Sequence, residues 1–67
     1  MNELLVTITK IRSIRNSNRM NVIFTQDGVK WDRAMTAPGP EFMTGDERGA
    51  YVLGFDTFGY IDSLRKA

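Results

Sequence analysis

Sixty-seven residues leave room for one small domain, and the chain carries neither Cys nor His. Disulfide frameworks, thiolate or imidazole metal sites and His-based catalytic triads are therefore excluded together. Nine Lys and Arg against eight Asp and Glu give a net charge of +1, and hydrophobic residues make up 42%, a globular balance without the strong excess of base typical of a tight polyanion binder.

At this length a core rarely supplies more than about 3–5 kcal/mol, so a well-formed sheet or self-association has to stand in for the missing staples. No apolar run approaches the length of a membrane span, and Met1-Asn2-Glu3 lacks the basic start of a secretory signal. With no cysteine the default expectation is a cytoplasmic protein without a membrane partner. The near-neutral total conceals an asymmetry. Residues 1–33 hold Lys10, Arg12, Arg15, Arg19, Lys30 and Arg33 against Glu3, Asp27 and Asp32, a sum of +3, whereas residues 34–67 sum to −2. Such a division gives one basic and one acidic face unless the halves pair with each other.

Residues 3–15 place Leu4, Ile8 and Ile11 at helical spacing, but the run is dominated by β-branched Val, Ile and Thr, which lose χ1 freedom in a helix. A strand is expected. Its alternation changes phase: Leu4, Val6 and Ile8 share one face while Ile11 belongs to the other, which predicts a bulge near Thr9-Lys10. Asn16-Ser17-Asn18 then turns the chain. Arg19 to Thr25 is a second strand with Met20, Val22 and Phe24 on one face, and Asp27-Gly28 is a strong two-residue hairpin signal before a third strand through Val29, Trp31, Arg33 and Met35. That turn sets Phe24 opposite Trp31, Val22 opposite Arg33, Met20 opposite Met35 and Thr25 opposite Lys30.

Ala37-Pro38-Gly39-Pro40 ends the third strand, because proline lacks an N–H. A loop follows, with a short helical turn around Glu41 to Met43. Ala50 to Asp56 is a fourth strand carrying Tyr51, Leu53 and Phe55 on one face, Gly54 suits a barrel corner, and Thr57-Phe58-Gly59 turns into Tyr60 to Leu64, either a fifth strand or a short C-terminal helix, with the strand favoured. Residues 1–67 thus form a single all-β domain, a small four- to five-stranded antiparallel barrel or half-open sheet of OB or SH3 type.

Nothing assembles a catalytic group. Asp46-Glu47 is the only adjacent carboxylate pair and sits among turn residues, and Gly49, Gly54 and Gly59 match no phosphate-binding fingerprint. The expectation is a non-enzymatic protein without a cofactor or metal.

Nucleic-acid binding draws on more of the sequence. OB-type modules hold single strands with a basic groove and aromatics that stack on bases. Lys10, Arg12, Arg15, Arg19, Lys30 and Arg33 supply charge, with Phe24 and Trp31 as candidate base platforms. The register of the first two strands decides how they combine. A three-residue loop places Lys10 and Arg12 on the face of Phe24, Trp31 and Arg33. A four-residue loop sets Ile11 opposite Phe24 and Ser13 opposite Val22, making that face the core and leaving Lys10, Arg12 and Lys30 on the opposite one. A lone Trp in so small a domain favours the core. The rival expectation is an adaptor or inhibitor, of the kind found among phage and mobile-element accessory proteins, that binds a partner protein through Phe42, Met43, Phe58 and Tyr60. These are apolar residues in or beside loops, with plugging of the barrel ends by Phe42 and Phe58 as the plain alternative. Either way a homodimer or higher oligomer is expected from the small core.

Overall fold

The computed structural model describes residues 2–44 and 47–67. Five strands, β1 (Asn2–Ser13), β2 (Arg19–Gln26), β3 (Val29–Thr36), β4 (Gly49–Phe55) and β5 (Ile61–Lys66), form one antiparallel sheet in the order β3-β2-β1-β4-β5, with a 3-10 turn at Pro40–Thr44 between β3 and β4. Every ladder is antiparallel, so β3 and β5 run in the same direction. They stand at the two ends of the order, and the sheet rolls until they come into contact without sharing a ladder. The result is a half-open barrel with a seam.

β1 makes this possible. Its first half pairs with β4 (Leu4 opposite Leu53, Val6 opposite Tyr51), and its second half pairs with β2 (Ile11 opposite Val22, Ser13 opposite Met20). The β2 register shifts between Ile8 and Lys10, and the Thr9 hydroxyl donates to the Ile23 carbonyl at 3.2 Å. The extra residue returns the alternation to phase, so Val6, Ile8 and Ile11 are all buried. They meet Met20, Val22, Phe24, Tyr51 and Leu53 in one core cluster.

The β2–β3 hairpin has the expected register throughout: Met20 faces Met35, Val22 faces Arg33, Phe24 faces Trp31 and Thr25 faces Lys30. Asp27 and Gly28 both take positive φ, 52° and 79°, as a two-residue turn matched to strand twist requires. The β1–β2 register corrects both expected pairings. β1 ends at Ser13, the Ile14 N–H donates to the Arg19 carbonyl, and Arg15–Asn18 form the loop, so Ile11 meets Val22 rather than Phe24, and Ile8 meets Phe24. The offset of two residues preserves the faces of the four-residue alternative. Lys10 faces Ile23 and Arg12 faces Asn21 on the outside of the sheet.

The 3-10 turn closes one end. It buries Phe42, whose ring meets Tyr51 edge-on at 6.3 Å, and the Ser13 hydroxyl ties it down by donating to the Met43 carbonyl at 2.7 Å. The Tyr51 hydroxyl donates to Glu47 Oε2 at 2.8 Å. Asp46, the other half of the adjacent carboxylate pair, lies outside the described residues. Gly54 lies at the second irregularity, where β4 and β5 slip register, and a Cβ there would collide with Ser63 Oγ. No helix among the described residues is long and apolar enough to cross a membrane.

Burial first, and then the hydrogen bond and charge of Glu47, raise the Tyr51 phenol above its ordinary value of 10.0. The folded state therefore holds this proton more tightly than the unfolded chain, and the stability it contributes is intact below pH 10 and lost as pH rises past it. Urea midpoints should fall between pH 9 and pH 11 more steeply in the native chain than in Tyr51→Phe; equal slopes would contradict this role.

Candidate functional site

The seam gathers the chemistry. Inward alternation along β3 gives Trp31, Arg33 and Met35, but an edge strand has no neighbour to cover all three. Met35 is buried, whereas Arg33 is exposed and Trp31 retains 37% of its surface. The Arg33 guanidinium lies over the Trp31 ring, 4.8 Å from its centroid, and its Nη1 donates to the Asp32 carbonyl at 3.1 Å. Such a cation–π contact is worth about 0.5–1 kcal/mol at an exposed site and holds both flat groups in place.

Across the seam the β4–β5 turn is pinned by its own hydrogen bonds. Asp56 Oδ1 accepts the N–H groups of Phe58 (2.8 Å) and Tyr60 (2.9 Å). The Asp56 N–H donates to the Tyr60 carbonyl at 2.9 Å, and the Gly59 N–H donates to the Asp56 carbonyl at 3.1 Å. Gly59 supplies the positive φ of 88° that closes this turn. The ordered turn nevertheless leaves Phe58 84% and Tyr60 72% exposed. An ordered backbone bearing bare aromatic rings has already met much of the entropy cost of presenting them to a ligand.

Two clefts run along this seam. One, of about 210 Å³, is lined by Leu4, Phe24 and Phe55 with Gln26, Trp31, Arg33 and Gly59 around them. The other, of about 230 Å³, is lined by Arg19, Asp32, Arg33, Ala34, Gly59, Tyr60 and Ile61. They share Arg33 and Gly59, so they adjoin. A larger open groove of about 610 Å³ lies between the Asn16–Asn18 tip and Ala37, Gly39, Pro40 and Met43, but no charged or aromatic side chain lines it.

The expected site residues separate accordingly. Trp31 and Arg33 line one seam cleft, and Arg33 and Arg19 line the other. Lys10, Arg12 and Lys30 are exposed on the outer face of β1–β2–β3, and Arg15 is exposed in the β1–β2 loop. Among the described residues none of these cations forms a salt bridge; the Arg65–Glu3 pair at 3.4 Å uses neither the basic face nor the seam. Phe24 is a correction: at 3% exposure it belongs to the core and backs the cleft beside Trp31 instead of standing out as a stacking platform. Phe42 is another, since the 3-10 turn folds it inward as the plug of one barrel end. Phe58 does not plug the other end. Met43 is half-buried at the far groove and does not join Phe58 and Tyr60. Sequence reasoning missed Gln26 and Gly59; alternation past Phe24 was the only signal for Gln26, and a glycine inside an aromatic turn was the signal for Gly59.

Comparison with protein-family models, with curated proteins and with solved structures finds no match to this chain.

Trp31 in this geometry is neither a core nor a free indole. Acrylamide should quench its emission to a degree between the two, and Arg33→Ala, by uncovering the ring, should increase that quenching. Emission that is blue-shifted and inaccessible to acrylamide would place Trp31 in the core and contradict the site.

Proposed function

We propose that the protein is a non-enzymatic cytoplasmic binding module that holds single-stranded nucleic acid weakly at the β3/β5 seam. One observation carries the reading: Trp31 stacked with Arg33 shares a cleft with Gly59 of an ordered turn, and the adjoining cleft holds Arg19 and the largely exposed Tyr60. Unpaired bases expose π-faces that aromatic rings and guanidinium planes stack on, whereas a duplex keeps those faces inside its own stack. Arg19 and Arg33 would take phosphates beside the stacked bases, and Lys10, Arg12 and Lys30 on the outer face would raise the local concentration of the polyanion.

The topology agrees in kind. A five-stranded antiparallel sheet ordered β3-β2-β1-β4-β5 and left open between β3 and β5 suits the partly open OB-type barrel that this reading assumes. Such partly open barrels bind oligonucleotides on the β2–β3 face and the β4–β5 loop; the support is analogy of fold. The affinity is weak because the net charge is only +1 and the Asp32 carboxylate lies in the same cleft as Arg19. Self-association would place several seams along one strand and raise avidity.

A second reading, an adaptor or inhibitor for a partner protein, is favoured by the exposure of Phe58 and Tyr60 on one turn, whereas Phe42 is buried and Met43 lies elsewhere.

Fluorescence anisotropy with labelled single-stranded oligonucleotides at low salt tests the proposal. Binding is expected, weakening steeply as salt rises from about 50 to 200 mM and falling by roughly tenfold in Trp31→Ala, since stacking on one aromatic is worth about 1–3 kcal/mol. No affinity at low salt overturns it. A partner captured through Phe58 that survives nuclease and high salt would support the second reading instead.

A further inference from the structure

We propose that the cleft beside Trp31 receives one unpaired nucleobase and reads its edge with the Gln26 side-chain amide. The inference rests on the single-strand reading and adds to it a specificity-determining residue.

The cleft's size sets the class of occupant. At about 210 Å³ it lies below the range of roughly 300–1,000 Å³ at which sites for drug-sized ligands begin, so it accommodates a single ring system. Its lining fits a flat, largely apolar body with a polar edge. Leu4, Phe24 and Phe55 give apolar contact from the core, and Trp31 supplies an aromatic wall. Arg33, stacked on that wall, brings positive charge to the mouth, where the phosphate of an inserted nucleotide would lie. An apolar amino-acid side chain would fill the same space, but it would use neither this charge nor the amide.

Gln26 is the group that wants an explanation. It is the last residue of β2, paired with Val29, and the alternation that buries Phe24 turns it toward the same side. It is half-buried and, with Arg33, supplies the polar part of the recess, and among the described residues its side-chain amide makes no hydrogen bond within the protein and stays open to solvent. An amide at the edge of a cleft with no partner in the protein is free to exchange water for a ligand that presents a donor beside an acceptor. A nucleobase edge presents that pair, and glutamine meets it with two hydrogen bonds, as it does with adenine. A base that slides in beside Trp31 therefore gains stacking from the wall and discrimination from Gln26. Bases in the adjoining cleft, against Tyr60, are stacked without being read.

The test compares homopolymeric single-stranded 8-mers of the four bases by anisotropy at one low salt concentration. The native chain should rank them, with the preferred base bound roughly tenfold more tightly than the least favoured, the size of effect one bidentate amide contact supports. Gln26→Leu should bring the four within about twofold of one another while binding continues; Gln26→Met, which keeps the length and removes the amide, should do the same and covers the case in which the leucine variant does not fold. Trp31→Ala should weaken all four together. If the native chain binds oligonucleotides without ranking them, or both Gln26 variants keep the native ranking, the pocket falls while the seam reading stands. If no oligonucleotide binds at all, both fall.

Discussion

One residue of excess in β1 governs the architecture. A single strand has to serve β4 on one flank and β2 on the other, and a regular pleat cannot point both Ile8 and Ile11 inward. The bulge at Thr9 resolves the conflict. It restores the apolar phase, bends the strand, and lets the two hairpin arms curl toward each other. The core of so small a domain depends on this curl, because a flat sheet of five short strands would leave Met20, Val22 and Leu53 on a wet surface.

The same bend produces the seam. A sheet whose first strand lies at its centre ends on β3 and β5, and rolling brings these ends together without joining them. Free edges invite pairing with other chains, and an inward-pointing charge is one way proteins blunt them. Arg33 is such a charge: it occupies an inward position on β3, cannot enter the core, and folds back over Trp31. In the proposed reading, the side chain that protects the edge is also the one that would take the polyanion. The β4–β5 turn completes the arrangement by using Asp56 to fix the backbone while Phe58 and Tyr60 remain uncovered.

Much of this was legible in the sequence wherever local rules decide. Asp27-Gly28 set the β2–β3 register residue by residue, and the broken alternation located the bulge at the correct point in β1. The β1–β2 pairing was not legible, because the polar loop Arg15–Asn18 carries no glycine or proline to fix its length. Trp31 resisted the choice between core and surface because its exposure depends on β3 being an edge strand. That position follows from β1 pairing with β4, a long-range contact that no local pattern announces. Phe42 and Phe58 looked alike as apolar loop residues; a 3-10 turn buries one and an aspartate-braced turn exposes the other. The basic first half proved to be two surfaces, the outer face and the seam, and only the seam carries aromatics.

On the proposed reading, a ligand sits at the open side between β3 and β5, and not on the basic outer face or in the loop groove. Amide and indole resonances followed by ¹⁵N NMR during titration with a short single-stranded oligonucleotide locate the contact directly. The account predicts shifts concentrated at Gln26, Trp31 and its indole N–H, Arg33, Gly59 and Tyr60, with the core strand around Leu53 unmoved. Shifts confined to Asn16–Asn18 and Ala37–Met43, or spread over Lys10, Arg12 and Lys30 while the seam stays still, would contradict it.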